Sequence, residues 1–144
     1  NSWSDHITYD LNFDGKTIKI IKCTSYDDSY GGDYYEQTLV NIKLKILLSH
    51  RIRRAIYDQR GVKSAKTLEL LGCSITDARI HIENQFREGM NWKNHGIRGW
   101  HIDHIIPCSS FDLTKIEDQN KCFHYTNLQP LWAEENLRKG NKKI

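Results

Sequence analysis

Two adjacent residues in the C-terminal third of the chain, Asp103 and His104, could carry out chemistry. They lie in an otherwise apolar segment, residues 100–107, that is typical of a β-strand, and strand alternation places His101 and Asp103 on one face and His104 on the other. A buried carboxylate or imidazole needs a partner. An imidazole can accept a proton from water near neutral pH, and a carboxylate is a hard oxygen ligand suited to Mg²⁺. The pair could therefore transfer a proton and bind a metal ion, or be paired with neighbouring side chains for stability alone.

The elements that must position this pair follow it along the chain. A second extended segment is predicted over residues 123–132 and carries Asn127. A short helix is predicted over residues 133–140, where it carries Asn136 and is closed by Gly140. The predicted order is therefore strand, loop, strand and short helix.

Upstream, the pattern predicts a β-hairpin and then helices. The hairpin covers residues 9–23 around an Asp14-Gly15 turn, and a loop rich in Tyr, Asp and Gly is predicted over residues 24–36. A helix is predicted over residues 39–59, closed by Gly61, because apolar residues recur at every fourth position: Leu44, Leu48, Ile52 and Ile56.

Two shorter helices are predicted over residues 64–71 and 74–87, the first closed by Gly72 and the second capped by Ser74. Such a pair could be a helix-turn-helix that reads DNA, although most helix pairs with short turns only pack. A loop follows over residues 89–99. Together these elements predict the α+β fold class.

The formal net charge of +3 is unevenly distributed. Residues 1–38 carry a net charge of −4, residues 39–66 carry +7, residues 67–133 carry −2 and residues 134–144 carry +2. A basic stripe of this kind could contact the phosphate backbone of a nucleic acid, and a solvated helix face would give the same pattern.

The spacing of the cysteines and the length of the apolar runs indicate in which cellular compartment the protein is expected. No two of the 4 cysteines form a Cys-x-x-Cys pair, so no structural zinc is expected, and their spacing is unlike that of a disulfide-rich secreted scaffold. No apolar run reaches the roughly 18–20 residues that a membrane span needs, and none is typical of a signal peptide. We therefore expect no membrane partner, and an intracellular, cytoplasmic protein with reduced thiols, located in the host cell if the protein is viral.

Three short motifs in the C-terminal third resemble, in order, the three parts of the HNH nuclease motif, the ββα-metal fold. They are Asp103-His104-Ile105-Ile106-Pro107, Asn127-Leu128-Gln129-Pro130-Leu131 and Asn136-Leu137-Arg138-Lys139-Gly140. Residues 66–74 and 86–96 are also similar to segments of phage- and virus-type HNH proteins. The resemblance covers roughly residues 48–144 and does not extend to residues 1–40.

The resemblance implies a metal-dependent endonuclease that hydrolyses DNA phosphodiester bonds by nicking or by a double-strand break. His104 matches the general base of the family, and Asp103 and Asn136 match the ligands of a divalent ion, Mg²⁺ or Mn²⁺. Asn127 matches the asparagine that hydrogen-bonds across the loop between the strands and supports the histidine. For His101 three roles stay open: a further metal ligand, a phosphate contact or an aromatic packing group.

DNA is the expected partner. Contacts to its phosphates are expected from basic side chains on the last helix and on the helix over residues 39–59: Arg138, Lys139, Arg51, Arg53 and Arg54. Fusion to, or association with, a larger nucleic-acid-targeting protein would be consistent with the resemblance.

The predicted organisation is one compact unit made of three segments. These are an acidic β-hairpin extension (residues 1–38), a basic helical segment packed on the nuclease (residues 39–98) and the HNH module (residues 99–144). Two other functions fit the same residues, namely a non-catalytic nucleic-acid-binding module and a structure-specific or RNA-directed nuclease.

Overall fold

The computed structural model describes residues 6–13, 16–23 and 28–142, and the surroundings of side chains from residue 37 onward. The mixture of helices and antiparallel strands confirms the α+β class. The elements are β1 (His6–Phe13), β2 (Lys16–Cys23), α1 (Asp28–Asp58), α2 (Thr67–Leu71), α3 (Ile75–Glu83), β3 (Trp100–His104), α4 (Ile116–Phe123), β4 (Leu128–Trp132) and α5 (Ala133–Lys139). Single 3₁₀ turns lie at Trp92–Asn94, Cys108–Ser110 and Tyr125–Asn127. None of the helices in the described part of the chain is long and apolar enough to cross a bilayer.

The chain divides into two compact units, residues 1–46 and residues 47–144, and α1 contributes residues to both. The predicted segments 1–38, 39–98 and 99–144 divide the chain differently, and they stay a prediction.

The first unit contains the predicted hairpin, which is confirmed. Strands β1 and β2 pair antiparallel, in a register that runs from His6 opposite Cys23 to Phe13 opposite Lys16. The predicted Asp14-Gly15 turn lies outside the described residues.

Helix α1 begins earlier than the sequence pattern predicts. The predicted loop over residues 24–36 is wrong from Asp28 onward, and its residues 24–27 lie outside the described part. Two consecutive glycines in the first turns, Gly31 and Gly32, each cost a helix about 1 kcal/mol relative to alanine, which is why propensity favoured a loop.

The core of the second unit is built on the apolar stripe of α1. Ile52 and Ile56 are each 2% exposed, and they pack with the fully buried side chains of Leu70, Leu113, Cys122 and Phe123. Burying an aliphatic side chain of this size contributes about 1.5–3 kcal/mol. The core thus ties α1 to α2, to α4 and to the segment between β3 and α4.

Helices α2 and α3 form where they are predicted but are shorter. Ser74 caps α3 by accepting a hydrogen bond from the amide of Asp77 at 3.1 Å, and Gly72 closes α2 with a φ of 72°. Helix α2 begins at Thr67 instead of Ser64, and the amide and hydroxyl of Ser64 both donate to Oε1 of Gln119, at 3.0 and 2.9 Å. Helix α3 ends at Glu83, four residues before the predicted end.

Strands β3 and β4 pair antiparallel with Asp103 opposite Gln129 and His104 opposite Leu128. The predicted strand over residues 100–107 ends at His104, and the extended segment predicted over residues 123–132 begins only at Leu128. Helix α4 lies in between and was not predicted. The short helix predicted over residues 133–140 is confirmed as α5, with Gly140 after it at a φ of 53°.

An aromatic cluster supports the start of β3. The ring of Trp100 is fully buried and lies 4.5 Å from the ring of His95, 5.0 Å from that of Trp92 and 5.0 Å from that of Phe86, measured between centroids. Burial lowers the pKa of His95 to about 4, and electrostatic interactions with His101 and Arg51 act in the same direction. His95 is therefore neutral in the folded protein at neutral pH.

This neutral imidazole predicts a loss of stability in mild acid. Because the pKa of His95 is lower in the folded than in the unfolded chain, the unfolded chain binds more protons between about pH 6.5 and about pH 4, so stability falls as the pH falls through that window. We expect the free energy of unfolding to fall by about 1–2 kcal/mol across this window. The value is smaller than the full pKa shift of His95 would give, because the side chain keeps some exposure to solvent. Urea unfolding at about pH 7 and about pH 4.5 should show a smaller pH dependence for His95→Phe than for the wild type. Equal pH dependence in the two proteins would contradict this assignment.

Candidate functional site

Helix α5 packs on the strand face that carries His101 and Asp103. On α5, Asn136 and Lys139 are three residues apart and therefore lie on one side of the helix. Asn136 contacts His101, and Lys139 contacts Asp103. Four of the residues predicted for the site thus meet in one row between β3 and α5: His101, Asp103, Asn136 and Lys139.

The carboxylate of Asp103 is held from two directions. Its Oδ2 accepts a hydrogen bond from Nε2 of Gln129 at 3.0 Å, and it lies 3.1 Å from Nζ of Lys139. The same Nζ donates to the backbone carbonyl of His104 at 2.9 Å. Asp103 is 8% exposed and Lys139 1%, so this is a buried ion pair that links α5 to the end of β3.

The role predicted for Lys139 is therefore wrong in this structure. A DNA-phosphate contact requires an ammonium group at the surface, whereas the side chain of Lys139 is fully enclosed and its Nζ is engaged by Asp103 and His104. The aliphatic part of the Lys139 side chain is buried together with its ammonium group, and the positive charge of that group compensates the negative charge of the Asp103 carboxylate.

His101 orients the amide group of Asn136. The Nδ2 of Asn136 donates to Nδ1 of His101 at 3.0 Å, and Nε2 of His101 lies 3.2 Å from the carbonyl oxygen of Ile97. Both ring nitrogens are thereby engaged, with the proton on Nε2. Of the three roles that the sequence left open for His101, this arrangement matches none: the ring positions the side chain of a candidate ligand.

The donor set around Asp103 and Asn136 is compatible with a hard divalent ion. The contacts of Asp103 described above are made by Oδ2, and the contact of Asn136 by Nδ2. One carboxylate oxygen and one amide oxygen therefore stay available, which is the kind of sparse oxygen set with which proteins hold Mg²⁺ beside water and phosphate. The charge of Lys139 next to Asp103 would oppose the ion and reduce its affinity.

His104 lies at the end of β3, beside two cysteines. Its Nδ1 is 3.7 Å from Sγ of Cys108, and its ring meets that of Phe123 edge-on at 5.9 Å between centroids. The thiol of Cys122 donates to Sγ of Cys108 at 3.4 Å. This hydrogen bond, with smaller contributions from His104 and Arg51, outweighs burial and lowers the pKa of Cys108 to about 5. The pKa of Cys122 is raised, because its proton is held between the two sulfurs.

The side chain of Asn127 bridges the loop after β3 and the end of α4. Its Oδ1 accepts from the amide of Ile106 at 2.9 Å, while Nδ2 donates to the carbonyl oxygens of Ile106 at 3.0 Å and Cys122 at 2.9 Å. Its own carbonyl accepts from the amide of Ile105 at 2.8 Å. These are the cross-loop bonds that the resemblance implies for Asn127. They fix the backbone that leaves His104, while a catalytic contribution of Asn127 stays a prediction.

The arginines predicted to contact phosphate differ in exposure. Arg53, Arg54 and Arg138 are exposed, and Arg54 pairs with Asp58 at 3.1 Å. Arg51 instead turns inward, where Nη1 donates to the carbonyl oxygen of Ile102 and burial lowers its pKa. A phosphate contact by Arg51 is therefore wrong in this structure, since its guanidinium supports β3 from the side of α1.

Arg138 lines a surface cleft of about 290 Å³ beside α5. Arg98 lines the same cleft and is also exposed. Glu134 and Glu135 also line it, so the cleft carries both signs of charge.

The chain is similar to two curated proteins of Acanthamoeba polyphaga mimivirus. It is 43% identical to the uncharacterized protein L426 over 105 residues, which are 73% of this chain and 45% of that protein. It is 36% identical to the uncharacterized protein L246 over 103 residues, which are 72% of this chain and 44% of that protein. The chain thus spans less than half the length of these relatives. No family model matches it, and no solved structure matches it.

Two features of the site were missed from the sequence. The amide of Gln129 reaches Asp103, and the Asn-Leu-Gln-Pro motif places it two residues after Asn127, opposite Asp103 in the strand pair. The second feature is the approach of Cys108 and Cys122 to His104. Sequence spacing gave no sign of it, because α4 is what returns Cys122 to the end of β3.

Proposed function

We propose that the protein is a metal-dependent endonuclease of the HNH type that hydrolyses DNA phosphodiester bonds. One observation carries the proposal: the hairpin β3–β4 and helix α5 bring Asp103 and Asn136 into one row with an oxygen of each left available, and His104 follows Asp103 directly in the chain at the end of β3. A histidine can act as the general base, and two oxygen ligands can hold a divalent ion, in the hydrolysis of a phosphodiester.

His104 would be the general base. With a proton on Nδ1 directed at Sγ of Cys108, the lone pair of Nε2 is left for a water molecule. His104 takes a proton from that water, which then attacks the phosphorus in line with the leaving oxygen. The bonds from Asn127 to Ile106 and Cys122 hold the loop that positions the ring.

Asp103 and Asn136 would hold the divalent ion, Mg²⁺ or Mn²⁺. When bound, the ion would supply a Lewis acid that stabilises the negative charge on the displaced 3′-oxygen. His101 fixes the amide of Asn136 so that its oxygen faces away from the imidazole. The products would carry 5′-phosphate and 3′-hydroxyl ends.

The exposed arginines of α1 and α5 would bind the DNA backbone. Arg53 and Arg54 lie in the basic segment of residues 39–66, and Arg138 follows Asn136 on α5. Binding through phosphates gives affinity without sequence preference and weakens as salt is added.

Removal of divalent ions tests the proposal. Supercoiled plasmid incubated with the protein and Mg²⁺ or Mn²⁺ should be nicked or linearised, and EDTA should stop the reaction. Asn136→Ala should need more metal or lose activity, since it lacks the amide oxygen. Asn120→Ala, an exposed asparagine on α4, is the matched control and should behave as the wild type.

Comparison of substrates distinguishes the proposed DNA endonuclease from the two alternative functions, a structure-specific or RNA-directed nuclease and a non-catalytic binding module. Cleavage of branched DNA or RNA in preference to linear duplex would indicate a structure-specific or RNA-directed nuclease. DNA binding in a gel-shift assay without cleavage under either metal would contradict the proposal and favour a binding module.

A further inference from the structure

Three soft ligands converge at the end of β3, outside the Asp103–Asn136 row. One donor atom from each of His104, Cys108 and Cys122 lies within 4.8 Å of the other two. The Sγ atoms of the two cysteines are 3.4 Å apart, and Sγ of Cys108 is 3.7 Å from Nδ1 of His104. The set contains no carboxylate.

These distances are close to those of a tetrahedral zinc site. Zn–S bonds of about 2.3 Å and Zn–N bonds of about 2.0 Å place two sulfurs about 3.8 Å apart and a sulfur and a nitrogen about 3.5 Å apart. The observed separations of 3.4 and 3.7 Å differ from these values by a few tenths of an ångström. The third pair, His104 and Cys122, lies within 4.8 Å, so binding of an ion requires these two side chains to approach each other.

The backbone that carries the three ligands is already fixed. Asn127 bonds the carbonyl of Cys122 and both backbone groups of Ile106, so it joins α4 to the loop between His104 and Cys108. The carbonyl of Cys108 accepts from Nε2 of Gln59 at 3.1 Å. A ligand set held in place in this way loses little conformational entropy when an ion binds.

We propose that His104, Cys108 and Cys122 form a site for a thiophilic divalent cation of the Zn²⁺ class, and that its occupation removes the proton-accepting lone pair of His104. Thiolate and imidazole ligands favour Zn²⁺ and Cd²⁺, whereas Mg²⁺ favours the oxygens of Asp103 and Asn136. The two sites are thus chemically distinct. The consequence for cleavage rests on the function proposed above, while the binding of the ion does not.

The proton balance explains the effect on His104. Binding of one divalent ion releases to solvent the one proton that the two sulfurs share, replaces the proton on Nδ1 of His104, and forms two metal–sulfur bonds and one metal–nitrogen bond. The proton displaced from Nδ1 is exchanged through solvent to Nε2, so the imidazole stays neutral. With the metal on Nδ1, the remaining imidazole proton is on Nε2. Nε2 then has no lone pair for a water molecule, and no oxidant or reductant is involved.

Metal binding is tested on the reduced full chain with Cd²⁺ and Zn²⁺ alone. Cd²⁺ should produce a thiolate charge-transfer band in the ultraviolet that saturates at one ion per chain, and Zn²⁺ should abolish it by competition. Cys108→Ser and Cys122→Ser each remove a metal ligand. Loss of a residue that only hydrogen-bonds a ligand typically weakens metal binding about 10–100-fold, so each of these variants should bind more weakly than that.

Cys73→Ser is the matched control, because Cys73 is a half-buried free thiol that is not part of the cluster. It should bind as the wild type does. Equal affinities of the wild type, Cys108→Ser and Cys122→Ser would overturn the site. Circular dichroism of each variant identifies any that fails to fold. Because Cys108→Ser and Cys122→Ser each remove one sulfur ligand, either variant alone tests the site if the other does not fold.

The state of the His104 ring is read independently of cleavage. Long-range ¹H–¹⁵N correlation spectra should show Nδ1 bound to metal and Nε2 protonated after Zn²⁺ is added, and an unprotonated Nε2 would overturn the second part of the proposal. In the cleavage assay with Mg²⁺, Zn²⁺ should inhibit the wild type and have less effect on Cys122→Ser, each measured against its own zinc-free rate. If cleavage is absent under all conditions, the proposed function fails while the binding and ring measurements still decide the site.

Discussion

Replacing His104 with alanine is expected to reduce DNA cleavage about 10²–10⁴-fold, the contribution of a positioned general base, while DNA binding is retained. His104 follows Asp103 at the end of β3, and its Nδ1 lies 3.7 Å from Sγ of Cys108, which leaves Nε2 for a water molecule. The described contacts of His104 are with Cys108 and Phe123 and with none of the arginines proposed to bind DNA, so the affinity for DNA should not change. Single-turnover cleavage and a gel-shift assay with the same duplex measure the two effects separately.

A second histidine gives the control. His124 lies on the same module and is partly buried, but its Nδ1 is engaged by the hydroxyl of Thr126 at 2.7 Å. His124→Ala therefore removes an imidazole of similar exposure whose described bonds are to Thr126 and not to Asp103, His104 or Asn136, and it should keep most of the activity. Undiminished cleavage by His104→Ala under Mg²⁺ would refute the assignment of the base, and equal losses in both variants would indicate a general effect of destabilisation.

The elements of the site could be predicted from the sequence because each has a local signal. Gly140 closes α5, and β-branched and aromatic residues mark the strand that carries Asp103 and His104. The motif order implied that Asn127 bonds across the loop, and its contacts with Ile106 have that geometry. These features depend on residues that are near in sequence or are fixed by one turn of helix.

The contacts that depend on long-range packing could not be predicted. A lysine on a short helix with many charged residues is expected to reach solvent. Lys139 is enclosed only because α5 packs against β3. Arg51 likewise belongs to a basic segment, yet its position on α1 directs it to the carbonyl of Ile102. Two of the five predicted phosphate contacts were wrong for this reason: charge is visible in a sequence, whereas burial of charge is a property of the fold.

Replacing Lys139 with methionine is expected to destabilise the protein by about 3–5 kcal/mol, the cost of removing one partner from a buried ion pair. Methionine preserves most of the aliphatic volume, so the loss comes mainly from the charge. Asp103 would keep only the hydrogen bond from Gln129, and the carbonyl of His104 would lose its donor. Urea unfolding measures the effect, and Lys142→Met, on an exposed lysine beyond the end of α5, should change stability by no more than about 0.5 kcal/mol.

The double variant Lys139→Met/Asp103→Asn separates loss of the pair from loss of packing. If the uncompensated carboxylate is the cause, neutralising it should recover part of the stability, and the two single effects should not add. Additive losses would mean that the ion pair contributes little and that Lys139 acts through its stem.

The same unfolding experiment with Mg²⁺ relates the ion pair to the proposed function. In the wild type the ammonium of Lys139 and a divalent ion would compete for the charge of Asp103, so added Mg²⁺ should stabilise the protein only slightly. In Lys139→Met that competition is absent, and Mg²⁺ should restore more stability than it adds to the wild type. Lys139→Met/Asn136→Ala lacks a candidate oxygen ligand and should lose this response. A response that is equal in all three proteins would argue against a divalent ion on Asp103 and Asn136, because a cation that binds there must sense both the charge of the lysine and the amide oxygen.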